Sequence, residues 1–279
     1  MGRYLDVAGN EGNPLQGLSL DYDLAPALAT AKVPVAALSS PSDYNFWAYG
    51  LDEPLASSAL EAFGRLGTLP ASSAALAQAR AASLDTSIVR DEVAPYAEVQ
   101  SPVTYPTAGG EFPKRLAVLA AMLADPALAI KCVSLGAVGS YDTHSDEADT
   151  LATNLAQTVG SVLAFQRDLE VREIADRVLI ELWSEFGRRP RENGSGTDHG
   201  AAGAAFLIGT RVKGKMVGEF PGLDKLDENE NLVSTCDFRA MYAALLAQWF
   251  ATEADLVIPG AGTGLEGPSS YGFVPALIS

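Results

Sequence analysis

The apolar and polar positions between residues 113 and 250 predict helices and buried strands in turn. The predicted helices are Pro113–Ala124, a long helix from a cap at Ser145 to about Leu169, and Asp237–Phe250. The long helix presents one stripe, formed by Leu151, Leu155, Val159, Val162 and Gln166. The predicted strands are Ile130–Leu135, Val178–Ser184, Ala205–Val212 and Lys215–Phe220. This alternation predicts a layered α/β fold with a parallel sheet.

The pattern in the first 112 residues is weaker. Residues 1–32 predict no strand, and residues 92–113, rich in Pro, Gly and Tyr, predict a long loop. The predicted elements are a short helix at Leu24–Ala31, a strand at Val33–Leu38 and helices at Leu55–Leu66 and Ala71–Leu84. We therefore expect one α/β domain over residues 1–279, in which residues 41–113 form a loop and helical insertion or a lid.

Three polar segments predict irregular structure in the second half of the chain. Residues 185–200 are rich in Gly, Arg and Asn, and residues 221–235 are polar and acidic, so both predict loops. The tail, residues 259–279, is rich in Gly, Pro and Ser and is expected to lack regular elements.

The only two histidines lie close to aspartates, and each pair follows a predicted strand. Ligands of parallel α/β sheets gather beyond the carboxyl ends of the strands, so we expect the two pairs to converge on one site. Carboxylates and imidazoles suit Zn²⁺ or another divalent ion. This predicts a metal site formed by Asp142, His144, Asp198 and His199. The alternative is that each aspartate makes a local hydrogen bond or a helix cap.

Glu185 and Arg188 follow the second of these strands and are candidates for catalytic support. Glu185 can be a further oxygen ligand, a general acid or base, or a surface carboxylate paired with Arg188 or Arg189. The guanidinium of Arg188 can bind an oxyanion through two parallel hydrogen bonds. Asp237 is expected to cap the helix that follows it, and Arg239 is either a substrate-binding residue or a surface charge.

The composition limits the partners of this acidic protein. Its formal net charge is −16, and its basic residues are too scattered to form a patch that attracts a phosphate backbone. No nucleic-acid partner is therefore expected. Cys132 and Cys236 lack the spacing of metal ligands and are expected to be free thiols, with a single disulfide as the alternative.

Several kinds of segment and motif are missing from the sequence. No apolar run reaches the ~18 residues that a membrane span requires. The N-terminus lacks the charged and apolar regions of an export signal, which by itself favours the cytoplasm. There is no Gly-x-Ser-x-Gly elbow, Gly-x-Gly-x-x-Gly loop or Walker loop, so the sequence does not indicate a serine triad or a nucleotide site.

A set of motifs resembles one bacterial family. The set consists of Tyr141-Asp142-Thr143-His144, Ser184-Glu185-Phe186-Gly187-Arg188-Arg189, Asn193, Gly196-Thr197-Asp198-His199-Gly200, Val212-Lys213-Gly214-Lys215-Met216-Val217-Gly218 and Asp237-Phe238-Arg239. Together they resemble DUF1501, a bacterial family of unknown function that is grouped with alkaline-phosphatase- and sulfatase-like proteins. The likeness covers nearly the whole chain and is strongest over residues 130–260. It implies a three-layer, alkaline-phosphatase-like sandwich with a parallel sheet.

The resemblance also implies a metal-dependent hydrolase of phosphate or sulfate esters, acting on a small ester or anionic substrate. The adjacent Asp198 and His199 resemble the Asp-His pair that binds metal in that superfamily. Asp142 and His144 are similar to its other Asp and His ligands, at a tighter spacing. Zn²⁺ is the expected ion, with Mn²⁺ or Ca²⁺ as alternatives.

Two departures from the family change what is expected of this chain. The N-terminal strand and the Gly/Asn/Asp-rich loop that carry the nucleophile in superfamily enzymes have no counterpart, and no histidine follows His199. Residues 1–6 instead resemble a stretch well inside a full-length member. The resemblance therefore implies a chain truncated at its N-terminus, whose full-length form is exported to the periplasm or beyond. The alternative to an active hydrolase is a non-catalytic ligand-binding protein or a structural exported protein.

Overall fold

A computed structural model of the chain describes residues 1–42, 44, 49–259 and 277–278. The chain divides into two compact units whose segments interleave. Unit 1 comprises Met1–Ala137 and Ser161–Asp168, and unit 2 comprises Val138–Gly160 and Leu169–Ser279. Interleaved segments do not mark two consecutive domains, so the single domain over residues 1–279 stays a prediction.

Unit 1 contains a three-stranded parallel sheet. Strand β1 (Gly17–Ser19) lies between β2 (Ala36–Ala37) and β3 (Cys132–Ser134), and both pairings are parallel. The predicted strands at Val33–Leu38 and Ile130–Leu135 are confirmed as β2 and β3. A mixed α/β fold with a small parallel sheet is thus confirmed, whereas the three-layer, alkaline-phosphatase-like sandwich and the N-terminal truncation stay predictions.

The central strand of this sheet was missed, and the prediction that residues 1–32 contain no strand is wrong. All three residues of β1 are buried, so the segment lacks the alternation that marks a half-buried strand. An added Cβ at Gly17 would lie 2.6 Å from Leu5 Cδ1 and 2.6 Å from Val35 Cγ1, so packing here requires glycine. The helix predicted at Leu24–Ala31 is only a 3-10 turn at Pro26–Leu28.

The helices of unit 1 are α1 (Gly2–Ala8), α2 (Glu53–Gly67), α3 (Ala74–Val93) and α4 (Phe112–Ala124). The last three confirm predicted helices, and α3 continues well beyond Leu84. Residues 97–111 form the predicted loop. The lid role of residues 41–113 is untested, and residues 43 and 45–48 within it lie outside the described residues.

Unit 2 combines two helices with two small antiparallel sheets. Its elements are α5 (Glu147–Val171), β4 (Ile180–Leu182), β5 (Gly187–Glu192), β6 (Thr197–Gly200), β7 (Phe206–Ile208) and α6 (Phe238–Gln248). Residues 161–168 of α5 belong to unit 1. Strand β4 pairs with β7, and β5 pairs with β6. Both helices and the strands β4 and β7 confirm predictions, and α6 places Met241 and Leu245 in a core with Ile278.

Two predictions about strands in unit 2 are wrong. Residues 185–200 do not form a loop, because β5 and β6 pair as an antiparallel hairpin. Their residues are mostly polar, so no apolar alternation marks them, and the Asn193-Gly194 turn was the only local signal. Lys215–Phe220 forms no strand, and its Met216 and Phe220 side chains are exposed. The predicted irregular tail lies outside the described residues except for 277–278.

The prediction that one apolar stripe forms the buried face of α5 is mostly wrong, because three of its five residues are exposed. Val162 is buried, but Leu155 and Val159 are 45% and 53% exposed. The polar side chains of Asn154 and Thr158 are buried in their place. The sequence pattern misplaced the buried face of α5 because that face makes polar contacts with a neighbouring loop.

Two smaller expectations are also settled. Cys132 and Cys236 are both free thiols, and Cys132 is buried. Within the described part of the chain, none of the helices has both the length and the apolar character that crossing a membrane requires.

Candidate functional site

The four predicted metal ligands all lie in unit 2, on two segments. Asp142 and His144 belong to the loop 138–146 that precedes α5, and Asp198 and His199 belong to β6 of the hairpin. The second pair therefore does not sit on a loop at the end of β4, and β4 is not in the parallel sheet of β3. The two pairs converge because the hairpin folds onto the loop 138–146.

Three of the four side chains form one cluster. Nε2 of His199 lies 2.7 Å from Oδ1 of Asp142, and Nε2 of His144 lies 3.2 Å from the same oxygen. The ring centroids of the two histidines are 5.0 Å apart. One ligand atom from each of Asp142, His144 and His199 lies within 4.8 Å of the others. Two imidazoles and a carboxylate at this spacing can hold one divalent ion.

Asp198 lies beside this cluster but faces a different atom. Its Oδ1 is 3.7 Å from Nδ1 of His144, the ring nitrogen that does not face Asp142. The same oxygen accepts a 2.8 Å hydrogen bond from the Asn193 amide. A carboxylate placed against the second nitrogen of a ligating histidine orients the ring and fixes its tautomer. This position fits a supporting role better than the ligand role that the sequence predicted.

Buried polar residues of α5 anchor the loop 138–146. The Asn154 amide donates to the carbonyl of Ser140 at 2.9 Å. The Thr158 hydroxyl lies 2.9 Å from the hydroxyl of Tyr141 and accepts a hydrogen bond from the Val138 amide at 3.3 Å. These contacts fix the loop immediately before Asp142, and they explain why polar residues occupy the buried face of α5.

The turn of the hairpin caps the start of α5. The amide of Asp146 donates to Oγ of Ser195 at 3.0 Å, and the amide of Glu147 donates to the Ser195 carbonyl at 2.9 Å. The first amides of a helix lack partners within the helix. Ser195 supplies such partners and so replaces the cap predicted at Ser145. The next residue, Gly196, brings the hairpin backbone against that of His144.

Arg188 of β5 contacts the backbone on both sides of the cluster. Its Nη1 donates to the carbonyls of Thr143 at 2.6 Å and Thr197 at 2.5 Å, and its Nη2 donates to the carbonyl of Tyr141 at 2.6 Å. Its Nε lies 3.6 Å from Oε1 of Glu147. These donors are therefore already used within the protein, which argues against the oxyanion-binding role expected from the sequence.

Phe186 and Asn193 contribute to the site although the sequence gave them no role. The Phe186 ring stacks on His199 with a centroid distance of 3.8 Å and an interplanar angle of 8°. The guanidinium carbon of Arg188 lies 5.1 Å from the centroid of the Phe186 ring. Phe186 immediately precedes β5 and Asn193 immediately follows it, so their positions could have indicated them only once the hairpin is recognised.

The cluster is open to solvent and keeps its carboxylate charged. The side chains of His144 and His199 are 50% and 42% exposed. The hydrogen bond with His199, together with the electrostatic influence of both imidazoles, lowers the pKa of Asp142 below its ordinary value. The ligand oxygen therefore stays deprotonated, as metal binding requires.

The other candidates are not members of the cluster of three. Glu185 is exposed just before β5, and its carboxylate makes no hydrogen bond or ion pair among the described residues. Arg239 donates to the Asp237 carboxylate at 3.0 and 2.5 Å, and Asp237 accepts from the Arg239 amide as the cap of α6. The predicted helix cap at Asp237 is confirmed, and the guanidinium of Arg239 is engaged with it.

Fold and site together define a mixed α/β protein with an exposed cluster of two histidines and one aspartate. The chain belongs to the family described as protein of unknown function (DUF1501), whose profile matches residues 55–251, more than half of the 279 residues. The family resemblance of the motifs is thereby confirmed. Searches of curated proteins and of solved structures each found no match.

Proposed function

We propose that the protein is a metal-dependent hydrolase of phosphate or sulfate esters, with Asp142, His144 and His199 as the ligands of a divalent ion. One observation carries the proposal: the two imidazoles of the chain and a carboxylate offer ligand atoms within 4.8 Å of one another. Two histidines at this spacing are informative because the chain has no others.

The chemistry of the donors fits a borderline ion such as Zn²⁺ better than a hard ion such as Mg²⁺. Mn²⁺ and Ca²⁺ remain alternatives. Catalytic zinc sites use three protein ligands and keep one position open, whereas structural sites use four. The exposed side of the cluster leaves access for a small substrate.

A divalent ion supplies Lewis-acid polarisation of an ester oxygen and activation of water near neutral pH. The chain supplies the rest. The Asp142 carboxylate binds the cation, Phe186 holds the His199 ring by stacking, and Asp198 orients His144 through its Nδ1. Glu185 is the candidate general acid or base, and its exposure leaves its carboxylate free to meet a substrate. The grouping of the family with alkaline-phosphatase-like proteins supports the ester class.

A second candidate is a non-catalytic metal- or ligand-binding protein on the same fold. The contacts of Arg188 favour it, because the guanidinium expected to bind an oxyanion donates to backbone carbonyls instead. A structural exported protein is a further form of this alternative. Absence of ester turnover, with or without bound metal, is its expected signature.

Metal analysis of the purified protein, followed by ester assays, tests the proposal. We expect one zinc, manganese or calcium ion per chain, lost in the double variant His144→Ala/His199→Ala, with turnover of p-nitrophenyl phosphate or sulfate lost in parallel. Asp142→Asn should also lose the metal. Its matched control is Asp224→Asn, which removes an exposed carboxylate elsewhere in unit 2 and should keep the metal. Glu185→Gln should keep the metal and lose turnover.

Each outcome separates the candidates. A native protein that binds no divalent ion rules out the metal-dependent hydrolase and supports the non-catalytic alternative. Stoichiometric metal that depends on the two histidines, without turnover of either ester, rules out the hydrolase and supports the non-catalytic alternative.

A further inference from the structure

We propose that Arg188 is a positioning residue, which fixes the segment carrying Asp142 and His144 against the strand carrying His199. It thereby sets the separation of the two imidazoles. The consequence for metal affinity rests on the proposed function, but the separation of the rings does not.

The hydrogen bonds of the guanidinium span two segments that are distant in sequence. Nη1 bridges the carbonyls of Thr143 and Thr197, at 2.6 and 2.5 Å. Nη2 binds the carbonyl of Tyr141 at 2.6 Å and lies 3.3 Å from Oγ1 of Thr143. Tyr141 and Thr143 flank Asp142, and Thr197 lies two residues before His199. One planar group therefore fixes both carriers of the ligands at once.

Glu147 completes this connection from the start of α5. Its Oε1 lies 3.6 Å from Nε of Arg188, and its Oε2 accepts a 2.7 Å hydrogen bond from the Thr197 hydroxyl. The side chains of Arg188 and Glu147 are only 22% and 16% exposed. A partly buried cation needs a partner charge and good hydrogen bonds, and both are present. The arrangement links loop, strand and helix through charged groups.

Arg188 also supports His199 from a second direction. Its guanidinium carbon lies 5.1 Å from the Phe186 ring centroid, and Phe186 stacks on His199 at 3.8 Å. A cation beside the phenyl ring favours this placement of Phe186. The position of His199 thus depends on Arg188 through the backbone of Thr197 and through Phe186.

Three variants test the role of the guanidinium. Arg188→Ala removes all of its hydrogen bonds, and Arg188→Lys keeps the charge but cannot reach three carbonyls in one plane. Arg191→Ala is the matched control, because Arg191 lies on the same strand, its side chain is 77% exposed, and it forms an exposed ion pair with Glu230 at 3.6 Å.

The first measurement is made without metal. Because the chain has two histidines, a nuclear Overhauser effect between protons of two different imidazole rings can come only from the pair His144 and His199. We expect this cross-peak in the native protein and in Arg191→Ala, a weaker one in Arg188→Lys, and none in Arg188→Ala. Circular dichroism identifies any variant that fails to fold; if Arg188→Ala fails, Arg188→Lys and Glu147→Gln carry the test.

The second measurement is the zinc dissociation constant by calorimetry. We expect it to rise about 10- to 100-fold in Arg188→Ala, as for other groups that orient metal ligands. The rise should be smaller in Arg188→Lys and absent in Arg191→Ala. A general loss of stability would not give this order of zinc affinities among the three variants.

The outcomes distinguish this inference from the proposed function. A folded Arg188→Ala that keeps the cross-peak, or a native protein without one, overturns the positioning role. A cross-peak that depends on Arg188 in a protein that binds no zinc, manganese or calcium upholds the positioning role and removes the proposed function.

Discussion

At Gly196 the backbone of the hairpin meets the backbone of the loop that carries His144. A Cβ added there would lie 2.5 Å from the carbonyl carbon and 2.7 Å from the carbonyl oxygen of His144. Backbone atoms cannot move aside as a flexible side chain can. The approach of the two segments therefore depends on the absence of a side chain at this residue.

Gly196→Ala is expected to force the hairpin away from His144. Overpacking of this kind costs roughly 1–3 kcal/mol, so urea denaturation should show a reduced free energy of unfolding. Zinc affinity measured by calorimetry should also fall, because His199 moves with the hairpin. Gly203→Ala is the control, since a Cβ there would meet no atom closer than 3.6 Å. If Gly196→Ala and Gly203→Ala had equal stability and equal zinc affinity, the close approach of Gly196 to the His144 backbone would be contradicted.

Sequence reasoning identified the residue types of the site but not how they are held. Asp142, His144 and His199 were found because the chain has two histidines and both lie near aspartates. The role of Arg188 was not predictable, because its partners are backbone carbonyls, which every residue has. Asp198 was placed correctly near the cluster, but only the distances show which nitrogen of His144 it faces.

Among the elements, long periodic segments were predicted well and short polar ones were not. The helices α4, α5 and α6 follow from apolar spacing and end near the expected residues. The β5–β6 hairpin was missed because its strands bury little apolar surface, so their pairing leaves no alternating pattern. The buried face of α5 was misplaced because Asn154 and Thr158 satisfy loop backbone groups there.

The cap of α6 makes a prediction that depends on pH. Asp237 accepts from the Arg239 amide and guanidinium, and the hydrogen bond from the Arg239 side chain holds the pKa of Asp237 below its ordinary value. Asp237→Ala should therefore lower the free energy of unfolding at neutral pH by about 1 kcal/mol, as for other lost caps. Urea denaturation measures the difference.

The sign of the pH effect follows from the lowered pKa. The contribution of the Asp237 charge is full above the unfolded pKa of about 3.9 and is lost as the pH falls through the folded pKa. The difference in free energy of unfolding between the native protein and Asp237→Ala should thus become smaller at acid pH. Asp237→Asn keeps an uncharged cap. The difference in free energy of unfolding between Asp237→Asn and Asp237→Ala should therefore stay constant over the same pH range. If the difference between the native protein and Asp237→Ala stayed constant from neutral to acid pH, the role of Asp237 as a charged cap would be contradicted.

For the whole molecule, the sequence predicted the class of fold but not its central strand. The α/β class follows from the alternation of elements, but β3 alone among the strands of residues 113–250 belongs to the parallel sheet. Strand β1 was not predictable, because three buried residues between turns carry no periodic signal. The antiparallel pairing of β4 with β7 was also hidden, since strand partners depend on contacts distant in sequence.

The two thiols should differ in reactivity, because they lie in different units and surroundings. Burial raises the pKa of Cys132 to about 11, while Cys236 is only half-buried. Ellman's reagent should modify Cys236 in the native protein and Cys132 only after unfolding, since the thiolate is the reactive form. Cys236→Ser should then leave no thiol reactive in the native protein. If Ellman's reagent modified Cys132 and Cys236 at equal rates in the native protein, the burial of Cys132 in β3 would be contradicted.

The cap that Ser195 gives to α5 has a consequence for biosynthesis. Its hydroxyl lies 49 residues along the chain from the Asp146 amide that it accepts from. A ribosome that has just completed α5 has not yet translated the residue that caps the start of this helix. The first turn of the nascent helix thus lacks its native partner until the hairpin emerges, and the imidazoles come together only at that later stage of translation.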